Sequence, residues 1–165
     1  MNLLRVAIVT LAFASACSGA PESQPYHLVV SPDFSPDQSA AIFDAATQWE
    51  QRSGAFVTFD GDPGKFDYVI RVDPATAQAL TLEFGGGTIG LETTENHGSV
   101  QIQILSGLDP RTFHQTALHE LGHAIGLHHL TPGNIMCADT TCATLDVRCG
   151  DLSALTGKDV AGCIL

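Results

Sequence analysis

The stretch His119-Glu120-Leu121-Gly122-His123-Ala124-Ile125-Gly126-Leu127-His128-His129 constrains this chain more than any other. Residues four apart share one face of a helix, so a helix here sets His119 and His123 side by side. Gly126 comes three residues after His123, and a glycine ends a helix at low cost by taking positive φ. The chain can then turn back and bring His129 to the same point. His128 adjoins His129, but the spacing from Gly126 favours His129. Three neutral imidazoles suit a zinc ion at about 2.0–2.1 Å and leave a fourth position open. Glu120 follows the first histidine, so its carboxylate projects beside the metal, where it can take a proton from water. A bare His-Glu-x-x-His is only suggestive; Gly126 and His129 make the pattern far more specific. The competing reading is a helix with surface histidines that bind nothing.

The surrounding sequence supplies a framework for that helix. Tyr26–Ser31 reads as a strand. Ser35 caps a helix that Pro36 begins, with Ile42, Phe43, Ala46 and Trp49 at helical spacing and Gly54 at its end. Ala55–Phe59 and Phe66–Val72 read as strands joined by an Asp/Gly/Pro turn. Thr88–Thr93 and Val100–Leu105 give two more, separated by Glu95-Asn96-His97-Gly98. Asp109-Pro110 starts a second long helix, with Phe113, Ala117, Leu118, Leu121, Ala124 and Ile125 as its apolar face. A short third helix is expected from about Thr156. The order β-α-β-β-β-β-α-loop-α predicts an α/β (α+β) sandwich: a twisted mixed sheet of about five strands carrying two long helices.

The chain has 165 residues, with 44% hydrophobic and 15% charged, a globular composition. Met1–Arg5 is a short positive start, and Val6–Ala16 is an apolar run of 11 residues. A membrane-spanning helix needs about 20, so residues 1–16 read as an export signal peptide. Ser18–Pro25 is a polar linker, within 17–25, and 26–165 is one catalytic-sized domain. Ala14-Ser15-Ala16-Cys17 resembles a bacterial lipoprotein signal, which makes Cys17 a candidate lipid anchor. The expected location is therefore the bacterial cell envelope, through a lipid on Cys17, or the outside of the cell. Of the 5 cysteines, the other four are Cys137, Cys142, Cys149 and Cys163. In an exported chain they can form two disulfides; pairing of neighbours, 137–142 and 149–163, is the expected connectivity. Net charge is −11, which repels phosphate backbones and argues against a nucleic-acid partner. No basic cluster invites anionic lipid, and a monomer is expected. His114 and His27 read as surface histidines, and His97 as a turn residue.

The pattern at residues 119–129, with Asn134-Ile135-Met136 after it, resembles the metzincin clan of zinc metallopeptidases, and within it small bacterial matrixin-type enzymes. Gly85-Gly86-Gly87-Thr88-Ile89-Gly90 is similar to that group as well. The resemblance covers Tyr26 to Leu165. It implies a zincin-like fold, one catalytic zinc on His119, His123 and His129, and peptide-bond hydrolysis with Glu120 as general base. It makes Asn134–Met136 the Met-turn, with Met136 a hydrophobic floor under the metal. It makes the strand at Thr88, Ile89, Gly90 and Leu91 the sheet edge that pairs with an extended peptide substrate. The loop from Cys137 to Gly150 would wall the pocket for the side chain after the cut bond. Leu130 stands where matrixins have Ser, and no Tyr follows Met136, so a tyrosine ligand is not indicated. Too few residues separate Cys17 from Tyr26 for a prodomain. Val147-Arg148-Cys149-Gly150-Asp151 resembles the cysteine switch of matrixin prodomains, but it follows the catalytic motif, and Cys149 reads as a disulfide cysteine. Asp60, Asp62 and Asp67 could take calcium, as related enzymes do, although their spacing is not a calcium loop. The alternative function is a non-catalytic zinc-binding lipoprotein of the cell surface.

Overall fold

A computed structural model describes residues 24–60, 68–77, 90–94, 99–138 and 144–157. The elements are β1 (Gln24–Val30), α1 (Pro36–Arg52), β2 (Val57–Asp60), β3 (Val69–Ala75), β4 (Gly90–Thr94), β5 (Ser99–Leu105), α2 (Pro110–Ala124) and α3 (Cys149–Thr156). The strands form one sheet in the order β2-β1-β3-β5-β4. The first four run parallel, and β4 is antiparallel to β5 at the sheet edge. This is the mixed α/β architecture that the element order predicts.

Both long helices begin as their sequences dictate. Ser35 caps α1 through its hydroxyl, which accepts from Gln38 N (3.2 Å), while Gln38 Oε1 accepts from Ser35 N (3.0 Å). The Gln38 amide also donates to the Ser106 carbonyl at 2.7 Å, fixing α1 to the end of β5. Asp109 caps α2 by accepting from Arg111 N, Thr112 N and the Thr112 hydroxyl. The Thr112 hydroxyl and the backbone N–H groups hold this carboxyl below its ordinary range.

The core lies between the helices and the sheet. Ile42, Ala45, Ala46 and Trp49 of α1 join Phe113, Ala117, Leu118 and Leu121 of α2, with Ile70, Val72, Ile102 and Ile104 from the central strands. Trp49 is fully buried, and its indole N–H donates to the Leu118 carbonyl at 2.9 Å. That bond satisfies the only polar atom of the indole where no water can reach it. α1 thereby grips the helix that carries the histidines one residue before His119.

The structure departs from the sequence reading at four points. Ala45, not Phe43, completes the buried face of α1; Phe43 is 51% exposed, because positions 42, 45, 46 and 49 define the inward stripe. β3 starts later than expected, at Val69, and runs on through Pro74 to Ala75. β1 pairs with β3 only as far as Val72, so Pro74 lies where β5 alone flanks the strand and a residue without N–H is tolerated. The helix expected from about Thr156 lies past Gly157, outside the described residues; a helix that the sequence reading does not expect runs over Cys149–Thr156 and ends at Gly157, φ 64°. Its start is cryptic because Arg148 occupies the N-cap and the capping carboxylate comes from Asp151 instead. His27 is buried at 9%, not on the surface.

The segments 1–16 and Cys17 lie outside the described residues. So do Gly85–Gly87, Thr88, Ile89, His97, Asp62, Asp67, Cys142 and Cys163; of Asp60 only the backbone is described. Among the described residues no helix is long and apolar enough to cross a membrane.

Trp49→Phe keeps the ring but removes the indole N–H and part of its volume. It is expected to destabilise the protein by about 1–3 kcal/mol in urea unfolding, with the unfolding slope unchanged.

Candidate metal centre

The end of α2 builds the site through its backbone. Ile125 is the C-cap, and Gly126 follows at φ 99°. Gly126 N donates to the His123 carbonyl (2.8 Å), and Leu127 N reaches back to the Gly122 carbonyl (3.0 Å). This pair of bonds is a Schellman turn, which reverses the chain and needs a residue tolerant of positive φ after the cap. Beyond it, Leu130 N donates to the Met136 carbonyl at 2.7 Å, and Leu130 bridges to Cys137. His129 is therefore pinned between the helix end and the following turn.

The result is a cluster of three imidazoles. His119, His123 and His129 each offer one ligand atom, all within 4.8 Å of one another. Their ring centroids are 4.7, 5.3 and 4.8 Å apart, and His123 Nε2 lies 3.2 Å from His129 Nε2. A tetrahedral zinc with imidazole bonds of about 2.0–2.1 Å places its ligand nitrogens about 3.3 Å apart, which the His123–His129 separation matches. The tautomers fit too. His119 Nδ1 lies 2.8 Å from the Ile135 carbonyl and His123 Nδ1 lies 2.8 Å from the Leu127 carbonyl. A carbonyl only accepts, so each Nδ1 carries the hydrogen and each Nε2 keeps a lone pair for a metal. Burial pushes the His119 pKa down to about 4, with the Ile135 carbonyl opposing that shift. Partial burial, with His123 and His128 nearby, also lowers His129. Both rings are thus biased toward the neutral form that a metal requires.

The wall of the site is the turn at Asn134–Met136. Ile135 and Met136 are fully buried. Met136 Sδ occupies the space that a side chain at Gly122 would need, with Trp49 on the other side of that space. Gly122 lies between His119 and His123 on α2, so Met136 packs directly against the helix that carries them. This turn is held by Asp151, which is 0% exposed. Its Oδ2 accepts from Ile135 N (3.2 Å) and Arg148 N (2.7 Å), and its Oδ1 accepts from Met136 N (3.2 Å). Burial pushes the Asp151 carboxyl upward, and the three backbone N–H bonds oppose it. Gly150 lets α3 approach, because a side chain there would overlap the Asn134 carboxamide.

The structure brings His119, His123, His129, Glu120, Gly126 and Met136 into one region. Glu120 is buried at 6% and faces the first residue of β4, where a Cβ on Gly90 would come within 2.6 Å of its Oε1. His128 is exposed and outside the cluster. His114 is half-buried and reaches Asp44 of α1 at 2.8 Å, not solvent alone. Cys137 is buried next to Met136, and Cys149 opens α3. Sequence reading missed Asp151 as the clasp of the turn. Its signal was present in the Arg148–Asp151 stretch, as an acidic residue at the third position of a helix, but a helix there was not expected.

Asp151→Asn replaces an acceptor-only group by one whose NH2 faces backbone donors. The expected outcome is a loss of roughly 2–4 kcal/mol in stability and a zinc affinity lowered about 10- to 100-fold. Denaturant unfolding and competition with a chromogenic chelator measure the two.

Solved structures resemble this chain in fold. The fold is similar to archaemetzincin from Methanopyrus kandleri, at 13% identity over 82% of this chain and 94% of that one, with a TM-score of 0.56. It is similar to metalloproteinase-II from Bacteroides fragilis, at 14% identity over 83% of this chain and 53% of that one, TM-score 0.51. High choriolytic enzyme 1, a hatching enzyme zinc-protease from the medaka Oryzias latipes, matches at 22% identity over 64% of this chain, TM-score 0.46, and this chain spans only 44% of its length. No curated protein matches in sequence. The Matrixin peptidase family matches residues 7–158, nearly the whole chain, and the protein belongs to that family.

Proposed function

We propose that this protein is an exported zinc-dependent endopeptidase that cleaves peptide bonds with His119, His123 and His129 as zinc ligands and Glu120 as general base. One observation carries the reading: three imidazole ligand atoms within 4.8 Å of one another, with a buried carboxylate on the residue that follows the first of them. Zinc, when bound, supplies a Lewis acid that polarises a carbonyl and acidifies water. The chain's own residues do the rest. The Nε2 lone pairs of His119 and His123 are aimed by the carbonyls of Ile135 and Leu127. The Glu120 carboxylate takes the proton of the attacking water and delivers it to the leaving amine. β4 lies at the sheet edge, so an extended peptide can add beside it through backbone bonds; Thr88, Ile89, Gly90 and Leu91 are the residues assigned to that pairing.

The remaining assignments belong to the same reading. Residues 1–16 act as the export signal, and Cys17 carries a lipid that anchors the monomer to the cell envelope. Disulfides 137–142 and 149–163 tie the turn and α3 to the loop that walls the substrate pocket. Asp60 is the last residue of β2, and Asp62 and Asp67 are assigned to the turn after it rather than to calcium.

Residues 18–165, produced under oxidising conditions, are expected to bind close to one zinc and to cleave a mixed peptide library in a chelator-sensitive way. Glu120→Ala is expected to keep the zinc and lose about 10²- to 10⁴-fold in kcat. Zinc without cleavage in wild type would instead favour a binding protein.

A further inference from the structure

The sheet is bounded by β2 on one side and β4 on the other. β2 has four residues and runs parallel to β1. Alternate residues of such a strand turn their N–H groups to opposite sides, so two donors of β2 serve β1 and two face outward. The outward pair is Val57 and Phe59, and the end of α1 meets both. Val57 N donates to Ser53 Oγ at 3.2 Å, and Phe59 N donates to Glu50 Oε1 at 2.5 Å. The Ser53 hydroxyl donates to the Glu50 carbonyl at 3.2 Å, which turns its lone pairs toward Val57. Both outward donors of β2 are thus taken by side chains.

The turn that brings β2 to this place is strained. Gly54 and Ala55 both have positive φ, 63° and 62°, and Ala55 is the one non-glycine residue with positive φ among the described residues. Ala55 N donates to the Glu50 carbonyl (3.0 Å) and Phe56 N to the Ser53 carbonyl (3.3 Å). Glu50 and Ser53 therefore hold the turn with their backbones and the strand edge with their side chains. An unpaired strand edge is a template for another chain. A strand arriving at β2 needs free N–H groups for its own carbonyls, and it meets a hydroxyl oxygen and a carboxylate oxygen instead.

We infer that Glu50 and Ser53 seal the β2 edge against strand addition, and that the partner they exclude is the β2 edge of a second copy of this chain. Two identical edges related by a two-fold axis present the same strand to each other, and two-fold pairing is the commonest form of self-association in soluble proteins. Sealing β2 leaves β4 as the edge for an extended peptide; only that consequence rests on the peptidase reading.

The test begins with amide hydrogen exchange in wild type. The Val57 and Phe59 amides are expected to exchange as slowly as that of Thr58, which faces β1; exchange at the rate of free amides overturns the inference. Self-association is then followed by sedimentation equilibrium for wild type, Glu50→Gln, Glu50→Ala and Ser53→Ala, in salt sufficient to screen the net charge of −11. Wild type and Glu50→Gln, which keeps an amide oxygen for Phe59, are expected to stay monomeric. Glu50→Ala is expected to speed Phe59 exchange about tenfold in the dilute monomer, and to dimerise as concentration rises, with the β2 amides protected again in the dimer. Ser53→Ala frees the Val57 N–H, is expected to associate more weakly, and decides the point if Glu50→Ala does not fold. The inference is overturned if the folded alanine variants stay monomeric, if they associate without protecting β2, if wild type itself dimerises through β2, or if neither alanine variant folds. None of these measurements uses cleavage, so a wild type that cleaves nothing defeats the assigned function and leaves this test intact.

Discussion

The bond between His119 Nδ1 and the Ile135 carbonyl fixes where the metal centre can form. It joins a helix residue to a turn sixteen positions later, and it aims the ring only if that turn is itself immobile. Asp151 supplies the immobility. Two of its three accepted bonds come from the N–H groups of Ile135 and Met136, and the third from Arg148 at the start of α3. A bond to a charged group contributes about 1.5–3 kcal/mol, offset here by burying the carboxylate. What the arrangement secures is placement: removing the acceptor leaves three inward N–H groups unpaired and the Ile135 carbonyl free to drift.

Glycines at three points let elements approach this centre, for separate reasons. Gly126 supplies the positive φ that closes the Schellman turn and returns the chain toward His129. Gly122 leaves room for Met136 Sδ and the Trp49 ring, so the core of the domain reaches the underside of the ligand helix. Gly90 leaves room for Glu120. A side chain at Gly122 would press on Met136 and Trp49 and one at Gly90 on Thr116 and Glu120, whereas one at Gly126 would meet open space and strain the turn itself.

The fold was legible where periodicity and caps were strong. Ser35, Pro36, Asp109 and Pro110 mark both long helices at their observed starts, and the six apolar positions of α2 are all buried. The metal cluster was legible because its spacing is a consequence of helix geometry and one glycine. The misses share a cause: they depend on tertiary partners. Phe43 and Ala45 exchange roles by the phase of α1 against α2. β3 continues past Asp73-Pro74 because β5 still flanks it. α3 has no capping residue at Arg148 because its cap is borrowed from Asp151, whose other bonds go to a turn that only the folded chain brings near. Gly90 reads only as a residue of the substrate-pairing strand until that strand is laid against Thr116 and Glu120.

The most direct measurement of the account is a crystal structure of the zinc-loaded protein with anomalous data at the zinc edge. The account predicts a single strong site with the Nε2 atoms of His119, His123 and His129 at about 2.0–2.1 Å and the Glu120 carboxylate nearby but not bonded to the metal. Coordination by His128 in place of His129, or by the Glu120 carboxylate itself, would contradict it.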